Sequence, residues 1–295
     1  MARKSSSVRA VVVAALVGVG VGCTKVNHLL PIPEPALWVP TAEPPADSEK
    51  RECANLTDWT VVLEAQERGG LRAKIAREGR ALRDVLPPFA VERDHPGLGG
   101  VLSLRVENGW LIAVNAGEFG GALWWYGPDG DTRYRIADLS VVGLHALPAI
   151  GANDRYIAIE VLSHRGEEIG RVQTVVHGSG GRWELRPIAS LPSAPHVSTT
   201  TSDGGVVIAL TGGVAKVKAD GTVEVARVAN LGQLYPSSIS EASDGSILVG
   251  MRRYLLRVPR ARGGKAEWFT LAACKDFSVV RSQDAPARCE CGQSK

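Results

Sequence analysis

Five short apolar segments recur along the chain, each entered through a polar turn. The segments are Thr60–Glu64, Trp110–Asn115, Tyr156–Glu160, Val206–Leu210 and Ile247–Met251. Their turns lie near Asp58, Asn108, Asn153, Asp203 and Asp244, at spacings of 50, 45, 50 and 41 residues. A hairpin pattern follows three of them: Gly69 to Arg80, Gly120 to Gly130 and Gly212 to Thr222, two of these carrying Asp-Gly. Asp-Gly between alternating segments marks a tight hairpin, because the turn needs positive φ. A 40–50-residue period holding about four short strands is the sequence form of a propeller blade. In such a ring each sheet buries its faces on its neighbours and few long edges remain. The pattern covers residues 58–272, or about 43 residues for each of five units. It predicts an all-β fold, a β-propeller of five blades with six as the alternative. Leu71, Ile75, Leu82, Val85 and Leu86 also trace a helical face, but Gly79 aligns with Gly221 and favours a hairpin there.

Composition narrows the function. A hydrophobic share of 44% with 22% charged residues excludes a largely disordered chain. The net charge of +3 comes from Arg3, Lys4 and Arg9; without them 31 basic residues face 31 acidic ones. That balance offers no basic stripe for nucleic acid. Walker, HExxH, GxSxG and Rossmann patterns do not occur in the sequence. No cofactor is expected.

The first nine residues are short and basic, residues 10–22 are apolar and small, and Cys23 follows at once. An apolar run of 13 residues is a secretory signal, too short to span a bilayer comfortably. Ending in Gly-Val-Gly-Cys, it resembles a bacterial lipoprotein signal, although Gly20 stands where that family prefers Leu. The resemblance implies that Cys23 becomes the lipidated first residue of the mature protein. Thr24 rather than Asp follows it, which by the same resemblance implies the outer membrane. An acyl chain contributes about 0.8 kcal/mol per buried CH₂, so a multiply acylated Cys holds a soluble body on the membrane. Pro31, Pro33, Pro35, Pro40, Pro44 and Pro45 then favour an extended tether. The expected organisation is signal peptide 1–22, lipidated Cys and tether 23–52, and propeller with closing strand and Cys-bearing tail 53–295.

Four further cysteines, Cys53, Cys274, Cys289 and Cys291, flank the repeats. An exported chain oxidises such residues. Four cysteines allow three pairings; Cys53 with Cys289 or Cys291 would staple the ends of the ring. Closing a loop of that size contributes about 4–5 kcal/mol in the chain-entropy model. Cys289-x-Cys291 alone lacks the paired spacing of a zinc ribbon, so no metal is expected. Phe277–Arg281 reads as a late strand that completes the first blade.

The segment Ile239 to Gly250, followed by Tyr254 to Val258, resembles the propeller repeats of sensor-type regulators and of virginiamycin B lyase-like proteins. The resemblance implies architecture more than activity, since propellers host many functions. In the lyase-like proteins a loop His takes part in catalysis, which makes His196 a candidate. The far ends of the recurring strands hold Glu64, Asn115 and Glu160. Glu64 and Glu160 would serve as the acid/base pair of a glycosidase if 5–9 Å apart. Asn115, Trp124 and Trp125 are candidate binding residues, the indoles as a stacking platform. These features point to a membrane-anchored binding or scaffold module for an envelope protein or glycan, with a periplasmic carbohydrate-active hydrolase or lyase as the alternative.

Overall fold

The computed structural model describes residues 38–46, 49–57, 59–65, 71–77, 87–91, 100–150, 153–164, 167–228, 230–260, 264–275, 277–281 and 287–291. Cys23, the signal segment and the Gly79 turn lie outside them. The described chain opens with strand β1 (Trp38–Thr41) and helix α1 (Glu49–Asn55). Glu49 and Glu52 in the first turn of α1 complement the positive end of its dipole. A hairpin follows, β2 (Trp59–Ala65) and β3 (Leu71–Arg77).

Four antiparallel meanders come next. The first is β4 (Gly100–Val106), β5 (Gly109–Asn115), β6 (Gly121–Tyr126) and β7 (Arg133–Ala137). The second is β8 (Ser140–Ile150), β9 (Asn153–His164), β10 (Glu167–His177) and β11 (Trp183–Leu191). The third is β12 (Pro195–Thr200), β13 (Val206–Leu210), β14 (Gly213–Val217) and β15 (Val223–Arg227). The fourth is β16 (Ser238–Glu241), β17 (Ile247–Gly250), β18 (Tyr254–Val258) and β19 (Glu267–Leu271). A last hairpin pairs β20 (Phe277–Val280) with β21 (Arg288–Cys291).

Alternation along the second strand of each meander builds the core. Leu111 and Ala113 face the second sheet, where they meet Tyr156 and Ala158. Ile157 and Ile159, on the opposite face, meet Val206, Ile208 and Leu210 of the third. Val207 and Ala209 then meet Val249 and Met251 of the fourth. Successive residues of a strand point to opposite faces, so a fully apolar run packs on both sides. The first strands β4, β8, β12 and β16 touch one another in chain order, and β2 packs on β16 and β17. Meanders stacked face to face with adjacent leading strands constitute a β-propeller. On the outer face of the first meander, Phe89 stacks on Tyr126 at 5.4 Å and lies edge-on to Trp110 at 6.5 Å.

The chain ends differ from expectation. Phe277–Arg281 does not complete the β2–β3 sheet; β20 takes β21 as its partner instead. Two cysteines in β21 fix that hairpin to its surroundings, through Cys53–Cys289 and Cys274–Cys291. Pro31, Pro33 and Pro35 lie outside the described residues, and Trp38–Thr41, expected in the tether, is instead strand β1, paired with β19 as the outer strand of the fourth sheet. Pro40 is tolerated because an edge strand leaves one side without ladder bonds. Residues Leu71–Arg77 form a strand rather than a helix. The second meander has strands of 9 to 12 residues, longer than the short strands the repeat suggested.

Candidate functional site

In three of the four meanders the turn between the first two strands carries an acidic or amide side chain, and the third strand grips it. In the fourth meander Arg257 Nη2 donates to Asp244 Oδ2 at 2.5 Å. In the third, Lys216 Nζ donates to Asp203 Oδ2 at 2.7 Å. Both carboxyls are held at about 2, below their ordinary value. For Asp203 the first cause is Lys216 and the second Thr201; for Asp244 the Ser246 bonds lead and Arg257 follows. In the first meander the grip is aromatic: Trp125 Nε1 donates to Asn108 Oδ1 at 3.0 Å.

That substitution of an indole for a cation builds a different surface. Trp183 of the second meander also donates from Nε1 to Asn108 Oδ1, at 3.3 Å. Two indole donors on one oxygen fix the amide, so its Nδ2 points to His177 Nε2 at 3.3 Å. The His177 ring lies 3.9 Å from that of Trp183, and its Nε2 is 3.4 Å from Glu107 Oε1. Tyr134 packs on Trp125 at 5.2 Å, accepts the Trp183 backbone N–H at 2.6 Å and lies under the Arg182 guanidinium at 4.1 Å. The result is a ledge across the first and second sheets. Trp183 is buried, Trp125 half-buried, and Glu107, Asn108, His177 and Arg182 exposed. Its exposed polar rim over aromatic faces suits a ligand with hydroxyl groups and an apolar side.

The predicted residues separate. Glu64 forms an ion pair with Lys74 of the facing strand. Glu160 accepts from Gln173 Nε2 at 2.8 Å and from Arg171 Nη1 at 3.5 Å, both on β10. The two carboxylates thus sit on different sheets, each engaged by a neighbour in its own sheet. Asn115 Oδ1 accepts the Gly117 backbone N–H at 2.8 Å and so closes the loop after β5. Trp124 and Trp125 point to opposite faces of β6. Trp124 packs beside Tyr126 with Arg135 at 4.8 Å over its ring, and only Trp125 joins the ledge. His196 is not in a loop: it occupies the irregular start of β12, its Nε2 3.1 Å from Thr211 Oγ1. Gly178 to Gly181 form the expected hairpin loop between β10 and β11.

One polar contact joins two leading strands. His145 Nε2 of β8 lies 2.7 Å from Ser198 Oγ of β12. Burial pushes the His145 ring down to about 4, so it stays neutral near pH 7. A Cβ on Gly143 would sit 2.9 Å from that nitrogen and closer still to Ser198 Oγ, so a glycine inside this strand permits the approach.

No family model matches the chain, and no curated protein does. Among solved structures, it is similar to a catalytically inactive virginiamycin B lyase from Staphylococcus aureus with quinupristin. That match has a TM-score of 0.43 at 12% identity, and covers 74% of this chain and 72% of the other. A streptogramin B lyase matches with a TM-score of 0.37 at 11% identity, covering 81% of this chain and 85% of that one.

Proposed function

We propose that this chain is an exported, lipid-anchored β-propeller of five blades whose body is a binding module for an envelope protein or glycan. The observation that carries the reading is the pair of disulfides, Cys53–Cys289 and Cys274–Cys291. Disulfides of this kind form and persist in oxidising compartments outside the cytoplasm. Together with the Cys23 signal they support export, with acyl chains at Cys23 holding the body on the outer membrane. The binding face is the ledge of Trp125, Trp183, His177 and Asn108. Engagement of Glu64 and Glu160 by Lys74, Arg171 and Gln173 favours a binding role for the module over turnover of a glycosidic bond.

The anchor is tested by palmitate labelling and globomycin treatment of cells. Labelling lost in Cys23→Ala, with the protein moving to the soluble fraction, is the expected result; a variant that still partitions into membranes overturns it. The binding role is tested by cross-linked recovery from membranes and by a glycan array, with Asn108→Ala and His177→Ala as controls. Retention that needs those two side chains supports the ledge. Glycan cleavage abolished by Glu160→Gln would replace the binding reading with that of a carbohydrate-active hydrolase or lyase.

A further inference from the structure

Cys289 and Cys291 stand two residues apart on β21, on one face of the strand. They bond to different places: Cys53 in α1, across 236 residues, and Cys274, across 17. The turn after β17 brings a cation to this point. Arg253 has a left-handed backbone, φ 67°, and is buried. Its Nε donates to Thr57 Oγ1 at 2.6 Å, its Nη2 to the Cys289 carbonyl at 3.2 Å and its Nη1 to Cys291 Sγ at 3.2 Å. The Trp59 ring lies 5.6 Å from the guanidinium and shelters it. A fixed positive charge therefore rests on one sulfur of one disulfide.

We propose that Cys274–Cys291 is a thiol–disulfide exchange site for a dithiol reductant, with Arg253 stabilising the Cys291 leaving thiolate, while Cys53–Cys289 is the permanent closure of the fold. A cation beside a sulfur lowers the pKa of its thiol, and a lower-pKa thiol leaves faster. The thiolate of the reductant attacks Cys274 Sγ, forming a mixed disulfide as the Cys274–Cys291 bond breaks. The electron pair departs with Cys291 Sγ, which takes its negative charge against Arg253. The second thiol of the reductant, as thiolate, then attacks its own sulfur in the mixed disulfide and releases Cys274. The reductant leaves oxidised and the protein gains two electrons. Opening this bond frees the segment at Ala272–Cys274 from β21 while Cys53–Cys289 still ties the hairpin to α1. Each bond joins a buried cysteine to a half-buried one, Cys53 to Cys289 and Cys274 to Cys291, so the Arg253 contact rather than exposure sets the two disulfides apart.

The experiment is graded reduction of the full oxidised protein with dithiothreitol, trapping by iodoacetamide and peptide mapping. Cys274 and Cys291 should become alkylated roughly tenfold faster than Cys53 and Cys289. In the opened protein, Cys291 alkylation should be half-maximal clearly below the free-thiol pKa of about 8.5. Arg253→Gln should move that midpoint upward and slow opening, and Arg253→Lys should restore much of both. Simultaneous or earlier opening of Cys53–Cys289 overturns the proposal. So does a Cys291 midpoint at or above the free-thiol value, a measurement made on the unaltered protein that needs no variant to fold.

Discussion

The four meanders and the seam where the chain ends meet are held together by different forces. Between meanders the contacts are mainly apolar and local, each sheet packing on the next through side chains about one repeat away along the chain. At the seam covalent and polar contacts join residues 177 to 236 apart, and a second disulfide, Cys274–Cys291, spans 17 residues and fixes the last hairpin. Cys53 bonds Cys289, Ser238 Oγ donates to the Val61 carbonyl at 2.7 Å, and Arg253 reaches Thr57. A stack of repeats gains stability from each neighbour interface, but its two ends meet only if distant chain segments are brought together. The difference teaches that the seam carries the entropic cost of closure and that its bonds offset it.

Breaking the covalent part of the seam should therefore give the largest effect. Cys53→Ser removes the longer cross-link and should lower the unfolding free energy by about 4–5 kcal/mol, against about 3 kcal/mol for Cys274→Ser, by the loop-length dependence. Urea denaturation of the oxidised proteins, followed by tryptophan fluorescence, reads both. Equal losses in the two variants would mean that loop size does not govern the seam.

Truncating the apolar part tests the other side. Ile208 is fully buried between the second and third sheets. Ile208→Ala should cost roughly 3 kcal/mol, from lost burial plus the cavity left behind. The same denaturation series measures it, and Cys53→Ser and Ile208→Ala should add, because they share no partner. A combined loss well away from the sum would show that the meanders and the seam unfold as coupled regions.

How far each region was legible in the sequence follows from the same contrast. Val206–Leu210 alternates faces over an uninterrupted apolar run, and the expected strand matches the observed one end to end. Nearest-neighbour packing of repeats leaves a periodic mark, so the body was readable. The Phe277 strand was misplaced because its partner, Arg288–Cys291, is a four-residue segment set by disulfides rather than by alternation. Trp38–Thr41 hid behind prolines that an edge strand accepts. In the ledge, Trp125 was legible as an aromatic candidate, and Asn108 as a turn residue equivalent to Asp203 and Asp244. That Trp183 and His177 converge on Asn108 depends on how two sheets pack, which no local spacing records. Glu64 and Glu160 looked alike by repeat position, but cross-strand neighbours decided their roles.

The close approach of β2 to the fourth meander is a smaller, steric test of the seam. A Cβ at Gly250 would lie 2.6 Å from the Val61 carbonyl oxygen and closer to Ser238 Oγ. Gly250→Ala should push β2 away and cost about 1–3 kcal/mol as an overpacked contact. Hydrogen exchange should show the loss concentrated at the Val61 amide, which donates to the Met251 carbonyl at 3.1 Å. Unchanged protection at Val61 would remove β2 from the closure.

The smallest expected effect is electrostatic and lies inside the body. Lys216 Nζ reaches Asp203 at 2.7 Å and Glu241 of the next meander at 3.0 Å, so one ammonium joins two sheets. Asp203 is held at about 2, below its ordinary value of 3.8, first by the Lys216 bond and then by Thr201. A depressed folded-state pKa stabilises the protein above the unfolded value, and that contribution disappears as pH falls through the folded one. The Asp203 side chain is 59% exposed, so solvent screening limits the pair to about 0.5–1 kcal/mol. Asp203→Asn should thus be less stable than the parent by about that amount at pH 7. The gap should stay flat down to about pH 4, close between pH 4 and pH 2, and shrink in 0.5 M salt. Thermal denaturation of both proteins across this range reads the gap, and one that widens below pH 4 would show that Lys216 is held chiefly by Glu241.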